Sequence, residues 1–93
     1  MTIVLTGYIK VPLEALELIK RHLPDHIQNT RREPGCLVFE VHQSAEDAGV
    51  FTVVERFKNQ AAFDAHQARV KGSLWGQVTQ NAERVYDVET IKP

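Results

Sequence analysis

Four stretches rich in β-branched and aromatic residues alternate with two helical patterns in the order β-α-β-β-α-β. That order predicts an α+β chain with a four-stranded antiparallel sheet and both helices on one of its faces. Three observations carry it: period-two alternation in the strands, an apolar stripe at steps of three and four after Pro12, and turn residues at each junction.

Residues 2 to 10 alternate, with Ile3, Leu5, Gly7 and Ile9 on one side and Thr2, Val4, Thr6 and Tyr8 on the other. This is a β-strand with one more apolar face. Pro12 suits the first turn of a helix, where its missing N–H costs nothing. Leu13, Leu16, Ile19, Leu23 and Ile27 then form the stripe of an amphipathic helix, in which Pro24 predicts a kink. Pro34 disfavours helical geometry at Glu33, and Gly35 supplies a positive φ, so EPGC reads as the joint between helix and strand.

The second strand runs from Cys36 to about Gln43. Leu37, Phe39 and Val41 share one face, and Cys36, Val38, Glu40 and His42 the other. SAEDAG, residues 44 to 49, reads as a hairpin loop leading to the third strand, residues 50 to 58. There Phe51, Val53, Glu55 and Phe57 oppose Thr52, Val54 and Arg56. Asn59 is a good N-cap for a second helix with Ala62, Phe63, His66 and Val70 on one stripe. Gly72-Ser73 ends that helix, SLWGQVTQN adds a short helical turn, and residues 84 to 91 make the last strand. The arrangement is ferredoxin-like, and its uncovered sheet face carries Val4, Tyr8, Val38, Val85 and Ile91. That apolar set favours pairing of two chains.

The 93 residues read as one domain, near the lower end of the size that folds alone. A net charge of -1 leaves no cationic excess for nucleic acid. RNA-recognition domains share this strand order, but GVFTVVERF lacks their basic, aromatic third-strand signature. The start MTIVLTGYIK has neither a charged leader nor a long apolar run, and the one cysteine excludes an internal disulfide. A cytoplasmic protein without a membrane span is expected.

Cys36 begins a strand with no histidine near it in sequence, which favours an inert thiol over a reactive one. His42 reads as solvated or at an interface. His22 and His26 lie four apart on the first helix, but with Pro24 between them and no third ligand nearby they are a weak metal signal. Arg31, Arg32 and Arg69 read as solvated ion pairs. His66 faces the sheet, where an unpartnered polar group costs roughly 1–3 kcal/mol. It is either a core histidine bonded to a carbonyl or to Glu55, or a group serving a pocket. Trp75 is either a core anchor or the wall of such a pocket.

Three segments, TRREPGCLVFEVHQ (30 to 43), FTVVERFKNQAAFDAHQAR (51 to 69) and SLWGQVT with ERVYDV (73 to 79, 83 to 88), resemble the antibiotic biosynthesis monooxygenases of the dimeric α/β-barrel superfamily. The resemblance implies protomers that pair sheet to sheet as a homodimer, each with a pocket between its sheet and helices. It also implies oxygenation of phenols or quinols by O2, often with no metal or flavin. The related haem-degrading branch uses a first-strand Asn and a helical Trp and His. Here Thr6-Gly7-Tyr8 has no Asn, His66 stands near the position of that Trp, and Leu74-Trp75-Gly76-Gln77 offers no histidine, so haem cleavage is not expected.

The expectation is a cofactor-independent monooxygenase of a small aromatic or quinol-type molecule. His66 is the catalytic base or phenol partner, Trp75 and Phe63 form the wall, and Tyr8 or Glu55 makes a second polar contact. No metal is expected. The alternative is a non-catalytic small-molecule binder of the same fold.

Overall fold

The computed structural model describes residues 1–92. Its elements are β1 (Thr2–Lys10), a 3-10 turn (Leu13–Ala15), α1 (Leu16–Arg31), β2 (Cys36–Gln43), β3 (Val50–Phe57), α2 (Gln60–Lys71), α3 (Leu74–Val78) and β4 (Glu83–Ile91). The sheet order is β2-β3-β1-β4, and every neighbouring pair is antiparallel. This is the ferredoxin-like arrangement.

Strand alternation decides which residues meet the helices. Ile3, Leu5 and Ile9 of β1 and Phe51, Val53 and Phe57 of β3 are buried together with Ile19, Phe63 and Trp75 in one core. Glu55 occupies the same inner face, between Val53 and Phe57, and is also buried. The other face carries Tyr8, Val54, Val85 and Ile91, all more than a third exposed, with Val4 and Val38 half-buried.

Two local readings of the sequence are corrected. Leu13 lies off the stripe of α1 and is 68% exposed. The 3-10 turn after Pro12 advances three residues per turn, so the helical stripe takes its phase from Leu16 and runs through Ile19, Leu23, His26 and Thr30. The helix continues through Pro24; Lys20, whose carbonyl would have accepted its N–H, and Pro24 both lie on the exposed side.

The second correction concerns β2. Cys36 pairs with Phe57, but Val38 pairs with Arg56, so two steps on β2 match one step on β3. Leu37 is the extra residue of this bulge and is 57% exposed. Cys36 therefore shares the inner face with Phe39 and packs against the core. The turn before it has Gly35 at φ +91°, where an added Cβ would lie 2.8 Å from that of Ala62.

The second helix begins and ends where the sequence indicates. The Asn59 side chain accepts from the Ala62 N–H at 2.8 Å, and Ser73 caps α3 by accepting from the Gly76 N–H at 3.1 Å.

Candidate active site

Between the inner sheet face and the three helices lies a cavity of about 130 Å³. Its walls include His26, Phe39, Glu55, His66, Trp75 and Tyr86. Each arrives from a different element, because the sheet-facing stripe of every helix and the inward set of every strand converge there.

His66, on α2, is 2% exposed and its two ring nitrogens face two carboxylates. Nδ1 lies 2.8 Å from Glu33 Oε2, and Nε2 lies 3.6 Å from Glu55 Oε1. Glu33 is held in turn by Arg69, whose Nε and Nη2 donate to its Oε2 at 3.1 and 2.9 Å. Arg69 Nη2 also donates to Thr30 Oγ1 at 3.0 Å. A carboxylate fixed by a guanidinium accepts a hydrogen bond from Nδ1–H, which leaves the Nε2 lone pair directed toward Glu55 and the cavity. Burial lowers the His66 pKa against the opposing pull of Glu33, so the neutral imidazole is favoured.

Glu55 is a buried acid without a full partner. Its Oε1 makes no hydrogen bond among the described residues. Burial, reinforced by the Glu33 charge, pushes its pKa up to about 7. The site thus holds a neutral base beside a carboxyl group poised between its two forms, a pairing suited to proton transfer near neutrality.

The remaining wall is aromatic. His26 stacks on Trp75 with ring centroids 4.7 Å apart and planes at 8°, and meets the edge of Phe39 at 5.3 Å. Burial pulls the His26 pKa down to about 3, helped by the Arg69 charge and by repulsion from His66 whenever that ring is protonated. It acts as a neutral heteroaromatic surface whose Nδ1 has no partner among the described residues. Tyr86 reaches the cavity from β4 across Gly7, its register partner on β1. A Cβ on Gly7 would lie 2.0 Å from the Val85 carbonyl oxygen and 3.0 Å from the Tyr86 ring, so the absence of a side chain there admits the phenol ring. Burial pushes the Tyr86 pKa up to about 12.

Of the residues selected from sequence, the structure brings His66, Glu55 and Trp75 together in the cavity wall. Phe63 and Tyr8 stand elsewhere. Phe63 is one helical turn before His66 and packs edge-on to Phe57 at 5.8 Å, behind the cavity rather than in it. Tyr8 pairs with Thr52 and Val85 on the outer face; an even-numbered β1 residue cannot share a face with Ile9. Arg69, read as a solvated ion pair, instead anchors Glu33 beside the site.

Sequence reasoning missed His26, Glu33 and Tyr86. The spacing of His26 from Ile19 and Leu23 placed it on the helical stripe, and Tyr86 follows from inward alternation along β4. Glu33 had no local signal, since it finds His66 only through the fold. Cys36 has its thiol pKa pushed up by burial and by Glu33 and Glu55, which disfavours the reactive thiolate.

Glu33 and Glu55 approach opposite nitrogens of one ring instead of converging on a shared point. Among the described residues, no group of three or more His, Cys, Asp or Glu is placed to hold a metal ion. No helix there is long and apolar enough to cross a membrane.

No curated protein matches the chain significantly. Solved structures do. A candidate antibiotic biosynthesis monooxygenase from Nitrosomonas europaea superposes with a TM-score of 0.77 at 23% identity, covering 92% of this chain and 88% of that one. One from Deinococcus radiodurans gives a TM-score of 0.75 at 21% identity over 100% and 94% of the two chains. A conserved protein from Methanosarcina mazei gives 0.78 at 18% identity over 99% and 94%. At these identities the likeness establishes the fold. The family profile described as Antibiotic biosynthesis monooxygenase matches residues 2–71, a span that contains Glu33, Glu55, His66 and Arg69. With that match over most of its length, the chain belongs to the antibiotic biosynthesis monooxygenase family.

Proposed function

We propose that the protein is a cofactor-independent monooxygenase that uses O2 to convert a small phenol or quinol to a quinone. The observation supporting this reading is the Glu33–His66–Glu55 array, whose His66 and Glu55 stand in the wall of an aromatic cavity. At about 130 Å³ the space suits one aromatic ring; a cavity of about 150 Å³ binds benzene.

His66 Nε2 takes the phenolic proton, and the imidazolium formed stands between two carboxyl groups. The phenolate, far more easily oxidised than the phenol, passes one electron to O2. The resulting superoxide and ring radical combine at a ring carbon bearing hydrogen, giving a peroxide anion. Proton return from His66 makes it a hydroperoxide, and loss of the ring hydrogen as a proton expels hydroxide as the O–O bond breaks; the two combine as water. The sum, phenol plus O2 to quinone plus water, balances without an external reductant. Aromatic walls shield the radical pair from solvent.

His66→Ala is the direct test. Oxygen uptake with a panel of monocyclic phenols and hydroquinones should fall about 100-fold or more, the scale for losing a general base. His66→Gln keeps a hydrogen-bonding group without a base and should be equally slow. Wild-type rates in both variants would reduce His66 to a structural tie between α2 and the Glu33 turn. The second reading, a non-catalytic binder of the same ligands, draws on that tie, because the Arg69–Glu33–Thr30 network is already a stabilising cross-link.

We further infer that two chains pair through their outer sheet faces. Tyr8, Val54, Val85 and Ile91 leave that face too apolar for a small chain to expose to water.

A further inference from the structure

A wider outer basin of about 480 Å³, which opens to solvent, adjoins the ring-sized chamber and shares Gln67, Val70 and Arg84 with it. Lys71, Gln77 and Gln80 complete the polar part of that basin. Its lining thus carries two cations and three amides, and no carboxylate.

Arg84 is set in place by neutral groups. Its Nη1 donates to the Thr79 carbonyl at 3.0 Å, and its Nη2 to Thr79 Oγ1 at 2.7 Å. Thr79 is itself buried and bonded to the Trp75 carbonyl at 2.6 Å. The guanidinium is therefore held in a fixed position without being neutralised, and among the described residues neither it nor Lys71 forms an ion pair. The floor is built tightly: a Cβ on Gly76 would lie 2.3 Å from the Val70 carbonyl oxygen. A fixed cation loses less freedom on binding an anion than a free side chain does.

We propose that this basin is a second subsite, and that the substrate is a phenol or quinol carrying an anionic substituent on a short chain. The ring occupies the inner chamber against Trp75 and His66. The chain passes Gln67 and Val70, and its carboxylate, sulfonate or phosphate meets Arg84 and Lys71. This rests on the inner cavity being the arene site. It extends that reading, since a ring alone would leave the outer basin and its two cations unused.

Trp75 is the protein's one tryptophan and stands in the inner wall, so its fluorescence reports occupancy of the chamber. The probes are 3-(4-hydroxyphenyl)propanoate and its uncharged methyl ester, titrated separately. The acid should bind about tenfold more tightly than the ester, with the preference shrinking as salt is raised. In the Lys71→Gln/Arg84→Gln double variant, the two probes should bind equally, at the affinity of the wild-type protein for the ester. Lys71→Gln alone, which leaves the Arg84–Thr79 contacts intact, should lose part of the preference. Equal binding of acid and ester to the wild type, or a preference that survives the double variant, would overturn the subsite while leaving the arene cavity standing. If neither probe perturbs Trp75, the arene cavity itself fails and the subsite fails with it.

Discussion

Glu33, in the turn after α1, and His66, on α2, lie 33 residues apart, yet Oε2 of the first is 2.8 Å from Nδ1 of the second. The contact fixes which nitrogen carries the proton and therefore which one faces the cavity. It also opposes the lowering of the His66 pKa by burial. In Glu33→Gln the charge is lost while a hydrogen-bond acceptor remains. The His66 pKa, followed by NMR of the imidazole, should fall further below its wild-type value, and turnover should drop about tenfold or more as the imidazolium loses one counter-charge. An unchanged titration would mean that this pair does not persist in solution.

Glu55 makes the reaction sensitive to pH near neutrality. Its pKa of about 7 means that it is largely protonated below that value and ionised above it. The ionised form stabilises the imidazolium created when His66 accepts a proton, so turnover should rise as pH increases through about 7. Glu55→Gln should be slower and lack this inflection. A wild-type profile flat from pH 6 to 8, or a Gln variant that keeps the same inflection, would remove Glu55 from the proton-transfer path.

His26 links stability to acid. A group whose pKa is depressed to about 3 in the folded protein, from an ordinary 6.5, stays neutral when folded and takes up a proton on unfolding. Its contribution is present above pH 6.5 and is lost as the pH falls toward 3. The raised Glu55 pKa acts oppositely, favouring the folded state at low pH and losing that contribution as the pH rises from about 4.5 to 7. Urea unfolding of His26→Phe, which keeps a ring against Trp75, should show a shallower loss of stability between pH 6.5 and 4 than the wild type. Parallel curves would show that His26 is solvated and free to titrate.

The outer sheet face gives a prediction about assembly. With Tyr8 37%, Val85 44% and Ile91 41% exposed in the isolated chain, sedimentation at micromolar concentration should show a dimer. Val85→Lys, which places a charge on that face beside Tyr8, should shift the population to monomer. A wild-type protein that sediments only as a monomer would refute the pairing.

Much of the fold is legible because its strands obey alternation and its turns carry strong signals: Gly35, Asn59 and Ser73 act as their chemistry dictates. The site is only partly legible. His66 and Glu55 stand out as polar residues on apolar faces, a conflict visible in the sequence. Glu33 does not, because an acidic residue in a polar turn looks solvated until the tertiary fold brings it to α2. His26 was obscured by its pairing with His22, which suggests a metal, whereas its burial beside Ile19 and Leu23 makes it an aromatic wall. The phase errors at Leu13 and Cys36 share one cause. Short irregularities, a 3-10 turn and a bulge, reset a period that pattern reading assumes to be constant.

The bulge at Leu37 makes β2 tolerant of a change in length. Without that residue, Cys36, Val38, Phe39 and Val41 would fall in unbroken alternation on the faces they already occupy. Deleting Leu37 therefore costs the core little, whereas deleting Glu40 would turn Phe39 or Val41 toward the outer face. Because Cys36 would still pair with Phe57, the shortened strand would leave the turn bearing Glu33 in register as well, so the loss of this one amino acid spares both the sheet and the Glu33–His66 contact.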